Sequence, residues 1–104
     1  MNTHKAIRQF KRAVKDIYGS RIKQIVLYGS WARGDASEES DIDLMVVLSG
    51  EVQPGLELDR MIDVITDINL AYDVLISVLP VSEGDFNTLQ SPLLLNVRQE
   101  GVPA

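Results

Sequence analysis

The sequence predicts a small α+β domain, a mixed β-sheet of few strands with helices packed mainly on one face. Three observations predict it. Apolar positions recur at helical spacing over 4–18 and again over 56–70, as in helices that bury one stripe. Three short runs rich in aliphatic and β-branched residues, at 24–28, 42–48 and 73–79, have strand length and strand alternation. The resulting order is helix, strand, strand, helix, strand, helix, helix, which suits one sheet covered by helices. At 104 residues the chain makes a single domain, 1–104.

In the first helix, Ala6, Ile7, Phe10, Val14, Ile17 and Tyr18 form the apolar side. Lys5, Arg8, Lys11, Arg12 and Lys15 fill the other, with Thr3 as N-cap and Gly19 just past the end. That basic side reads as a solvated helix surface, and His4 as a surface residue beside the cap. Strand one, about Gln24–Tyr28, ends at Gly29-Ser30. Trp31–Arg33 forms a short helical turn closed by Gly34 at φ > 0, and Asp35–Ser40 is an acidic loop with Glu38 and Glu39 on its surface. Strand two, Ile42–Leu48, turns Ile42, Leu44, Val46 and Leu48 to the core and Asp43, Met45 and Val47 to an open face.

After a loop at Ser49–Gly55, the helix Leu56–Leu70 turns Leu58, Met61, Ile62, Ile65 and Ile68 inward. Glu57, Asp59, Asp63 and Asp67 take its outer face. Strand three, Asp73–Leu79, is ended by Pro80 and sets Asp73, Leu75, Ser77 and Leu79 on one side. Ser82 caps a short helix through Leu89, and Pro92 opens a last one, Pro92–Glu100, which stops at Gly101.

Composition excludes several classes. A net charge of -5 with a pI near 4.7 disfavours direct nucleic-acid binding, which needs a basic face. The absence of cysteine excludes disulfides and thiolate metal sites. No apolar run approaches a membrane span, and the basic N-terminal stretch has no apolar signal-peptide core, so a cytoplasmic protein without membrane partners is expected.

Chemistry concentrates in Gly29–Leu44, GSWARGDASEESDIDL. A Gly-Ser turn exposes backbone N–H groups and a hydroxyl, equipment for holding phosphate oxygens. Asp41 and Asp43 project from one face at strand period, and their mutual repulsion is relieved by a hard divalent cation such as magnesium. Taken alone, such an acidic pair is also an ordinary strand-entry turn. A phosphate cradle beside metal carboxylates points to a nucleoside triphosphate.

Gly29-Ser30, ten intervening residues and then Asp41-x-Asp43 resemble the signature of polymerase-beta-type nucleotidyltransferases. The wording GSWARG and SDIDL, with the short length, resembles the minimal nucleotidyltransferase (MNT) branch, over nearly the whole chain. That resemblance implies a two-layer, palm-like domain and transfer of AMP from ATP to an acceptor hydroxyl. It also implies two Mg2+ ions, held by Asp41, Asp43 and a third carboxylate from a later strand, where the matching residue is Asp73.

Gly29, Ser30, Arg33 and Ser40 would then be the nucleotide-binding set. Two of them keep another reading: Arg33 as an ion pair with Asp35, Glu38 or Glu39, and Ser40 as a cap on the turn before Asp41. Trp31 reads as an aromatic plug beneath the turn. The expected acceptor is a HEPN-type ribonuclease toxin neutralised by adenylylation, because no second domain holds a small acceptor. The alternatives are a small-molecule (antibiotic) nucleotidyltransferase and a non-catalytic binding antitoxin.

Overall fold

The computed structural model describes residues 2–37 and 39–104. Glu38, read from the sequence as loop surface and as one possible partner of Arg33, lies outside the described residues. Helix α1 (Asn2–Tyr18) leads through a single 3-10 turn into strand β1 (Ile22–Tyr28). The short helix α2 (Ser30–Arg33) and a loop connect it to β2 (Ile42–Leu48). Helix α3 (Pro54–Tyr72) crosses to β3 (Ile76–Ser82), and α4 (Glu83–Thr88), α5 (Pro92–Glu100) and the two-residue β4 (Val102–Pro103) complete the chain. The sheet order is β3-β2-β1-β4. β1 runs antiparallel to β2 and β4, whereas β2 and β3 are parallel, as a strand–helix–strand crossover requires. The predicted α+β class with a mixed sheet is therefore observed.

β2 is the central strand, and it shows why the sheet has two covered faces. Ile42, Leu44, Val46 and Leu48 are buried with Ala6, Phe10, Val14, Met61, Ile65 and Ile68, under the long helices α1 and α3. Met45 and Val47, on the other face, are buried with Phe86, Leu94 and Val97 of α4 and α5. The face expected to be open is thus closed over Met45 and Val47, because two apolar side chains there demand cover. It stays accessible at the β2 entrance, where Asp43 is half-buried and Asp41 exposed.

Other departures from the sequence reading have local causes. α1 begins before Thr3, which is buried inside the helix rather than capping it. β3 runs through Pro80, because an edge strand tolerates a residue that cannot donate to a ladder. Glu57, assigned to the outer face of α3, is only 2% exposed, while Ile62 is 51% exposed. Glu57 lies in the first helical turn, where its carboxylate accepts the Gln53 backbone N–H (3.2 Å) and the Tyr18 hydroxyl (3.0 Å). It closes the helix N-terminus and ties α3 to α1. β4 was not anticipated: two residues carry no period, and they form a strand because β1 has a free edge beside them.

Candidate active site

β1 ends at Gly29, whose φ of 74 and ψ of -153 lie in a region open to glycine and strained for other residues. This bend turns the chain directly into α2: the Gly29 carbonyl accepts from the N–H groups of Ala32 and Arg33, each at 3.1 Å. Gly34, at φ 82, closes the turn as predicted. Trp31 packs against the core, and its Nε1 donates to the Ser40 carbonyl (3.2 Å), so the indole fastens the acidic loop to α2. Ser40 Oγ accepts the Ser37 N–H at 3.0 Å, which makes it an organiser of the loop that delivers Asp41.

The register then sets the acids in place. Ile42 N–H donates to the Leu75 carbonyl (2.8 Å), the first rung between β2 and β3. Asp43 is flanked by Tyr28 on β1 and Ser77 on β3, its Cα partners on either side. A Cβ added at Gly29 would collide with Asp43 Oδ2, so the missing side chain is what lets the carboxylate lie against the bend. Burial, and then the charge of Asp41, hold the Asp43 carboxyl above its ordinary pKa, while Arg33 pulls the other way. Tyr28 is pushed up by burial and by the Asp43 charge. Asp41, Asp43, Arg33, Tyr28 and Gly29 thus form one electrostatic neighbourhood.

Arg33 is exposed, with Nε on Asp35 (3.3 Å) and Nη1 on Glu100 (3.5 Å). The sequence-read ion pair with Asp35 is formed, and Glu100 adds a link to the end of α5. Ser30 is the first residue of α2, immediately after the bend. Asp73 does not join the pair. It is exposed, caps α3 in the left-handed conformation (φ 52, ψ 51), and precedes a strand that starts only at Ile76. Its assignment to strand three is corrected: the helix runs on through Tyr72, and aspartate tolerates the left-handed turn that ends it. Among the described residues, no three His, Cys, Asp or Glu side chains gather as a metal cluster.

The donor set suits magnesium. Mg2+ is commonly bound by one or two carboxylates, with substrate phosphates and water filling the remaining positions. Two acids whose charges already oppose each other, beside a bend cleared of side-chain atoms, fit one such cation. Sequence reasoning missed Tyr28, Ser77 and Glu100. The first two were readable from strand parity once the register was known. Glu100 carries no local signal, because a tertiary contact brings it to Arg33.

Comparison with known proteins places the chain in a family. The family model described as the nucleotidyltransferase domain matches residues 7–94. Over 102 residues the chain is 44% identical to MJ0604 of Methanocaldococcus jannaschii, named a candidate protein adenylyltransferase, covering 97% of this chain and 96% of that protein. MJ0141 of the same organism, similarly named, is 35% identical over 71 residues, 68% of this chain and 71% of that one. Among solved structures, a toxin–antitoxin crystallised with AMP-PNP superposes with a TM-score of 0.63 at 16% identity, covering 90% of this chain and 68% of that one. A candidate nucleotidyltransferase of Sulfolobus solfataricus gives 0.53 at 23% identity, covering 98% and 84%. Both show the shared fold.

Proposed function

The chain belongs to the nucleotidyltransferase domain family, and on that premise we propose that it transfers AMP from ATP to a hydroxyl of another protein, a HEPN-type ribonuclease toxin. The acceptor hydroxyl oxygen attacks the α-phosphorus and the bond to the α–β bridging oxygen breaks. Pyrophosphate leaves, and the hydroxyl proton passes to water or to a group on the acceptor. The observation that carries this reading is the apposition of Asp43 and Gly29. It brings the Gly-Ser bend and the acidic pair, separated by ten residues in sequence, to one place.

Phosphoryl transfer asks chiefly for positioning and charge neutralisation. Asp41 and Asp43 would hold Mg2+, which supplies charge neutralisation on the triphosphate when bound. The Gly29 backbone lets phosphate oxygens approach, and the Ser30 hydroxyl donates to one of them. Arg33, exposed and shared between Asp35 and Glu100, is free to exchange either partner for a phosphate oxygen. Ser40 acts at one remove, by holding the loop before Asp41. Asp73 has no role in this scheme.

A protein acceptor is supported by the names of the relatives and by the shape of the domain. A groove of about 700 Å³ is lined by Lys11, Arg12, Lys15 and Lys23, and contains neither Asp41 nor Asp43. The acids instead face outward at the sheet end, where a partner could present its hydroxyl. The toxin partner rests on the MNT resemblance, and the toxin–antitoxin fold neighbour agrees with it.

The test is transfer of label from α-labelled ATP with magnesium to a candidate HEPN partner. Label on the partner from wild type, and background levels from Asp41→Asn and Asp43→Asn, are expected. Undiminished transfer by both variants refutes the site. Silencing of the partner without any label replaces catalysis with binding.

A further inference from the structure

We propose that this site takes a single divalent cation with the triphosphate, Ser77 standing where a third carboxylate would have to be to hold a second. The inference rests on the nucleotidyltransfer reading above and goes further, to this chain's metal count.

Neighbouring strands lie about 4.8 Å apart, and residues directly opposite share a face. Ser77 is the parallel partner of Asp43. It points away from the α3 side of the sheet, where its neighbours Ile76 and Val78 pack into the core. It is exposed, so neither α4 nor α5 covers it. A side chain there is the β3 group nearest the Asp43 carboxylate, and this chain supplies a neutral hydroxyl.

The adjoining positions do not compensate. Leu75, level with Asp41 through the Ile42–Leu75 rung, is apolar and 56% exposed. Tyr28, on the β1 flank, brings a phenol and no carboxylate. Asp73 lies outside the β2–β3 ladder, in the left-handed turn that ends α3. Among the described residues, it forms no metal-holding group with Asp41 and Asp43. Two carboxylates, with the substrate's phosphates and water, would suffice to hold one magnesium ion, and β3 carries no charged residue for another. The acceptor hydroxyl therefore has no β3 carboxylate to take its proton.

Manganese, an EPR-active stand-in for magnesium, counts the sites. The chain is titrated with Mn2+ in saturating AMP-PNP, reading bound metal by EPR and heat by calorimetry, apart from any acceptor. Wild type is expected to hold one Mn2+ in each protein–AMP-PNP complex, Ser77→Asp two, and Asp73→Asn one. Ser77 is exposed, so the aspartate variant is expected to fold, which its melting curve checks. Two ions on wild type, or one on a folded Ser77→Asp, overturns the proposal and leaves the nucleotidyltransfer reading standing. No Mn2+ on wild type overturns both.

Discussion

Replacing Gly29 with alanine distinguishes the conformational demand of the bend from its closeness to Asp43. The backbone at φ 74 and ψ -153 is glycine territory, and forcing another residue into such a region costs about 1–3 kcal/mol. In a domain of this size each kcal/mol lowers Tm by about 4–8 °C. The added methyl also collides with Asp43 Oδ2. Displacing a reacting group by about 1 Å costs roughly 100-fold in rate.

Gly34→Ala is the control. Its φ of 82 and ψ of 12 are left-handed, costing about 1–2 kcal/mol, yet nothing lies within 4 Å of the added Cβ. Circular-dichroism melts should show both variants destabilised. Transfer rates, measured at a temperature where both are folded, should fall about 100-fold for Gly29→Ala alone. Mn2+ affinity in AMP-PNP should follow the same split. Equal losses in the two variants, or full activity in a folded Gly29→Ala, would refute the close-approach argument.

Two further outcomes follow from the buried and coupled acids. Tyr18 donates to buried Glu57, and its phenol is pushed up from 10.0 to about 12, chiefly by burial and then by that hydrogen bond. A raised folded-state pKa gives stability that is complete below pH 10 and lost as pH rises toward 12. Tyr18→Phe should therefore cost about 1–3 kcal/mol at neutral pH, by leaving Glu57 short of a donor, and should flatten the alkaline fall in stability expected of wild type in urea titrations. Asp43 is likewise held above its ordinary value, by burial and by Asp41, so its ionisation works against the fold as pH rises through the folded pKa. Asp41→Asn should bring the Asp43 carboxyl down in NMR titrations. It should also raise the metal-free Tm at neutral pH, by less than about 1 kcal/mol of stability. An unmoved Asp43 titration would show that the two acids do not interact.

What the sequence makes legible, and what it hides, divides along one physical line. Period-two and period-3.6 patterns report which face of an element is apolar, and they located α1, β2 and α3 with most of their buried residues. The Gly29–Asp43 apposition was legible because both of its halves are local motifs. Met45 and Val47 were read as facing open space because the cover that closes over them comes from α4 and α5, about 40–50 residues later. Glu57 was read as outward because helical spacing counts charge as exposure, whereas a first-turn carboxylate can be buried once N–H and O–H donors meet it.

Asp73 shows the limit most sharply. Parity along 73–79 sets it on the same side as Ser77, but parity is meaningful only within one uninterrupted strand. A left-handed residue resets it, and aspartate is among the few side chains that enter that conformation at low cost. The same property that makes Asp73 a chemically attractive third ligand on paper makes it a good helix terminator in the fold, and the Ile42–Ile76 pairing then places Ser77 beside Asp43. An acidic residue just before a strand is evidence for a metal ligand only after the rung that begins the strand is known.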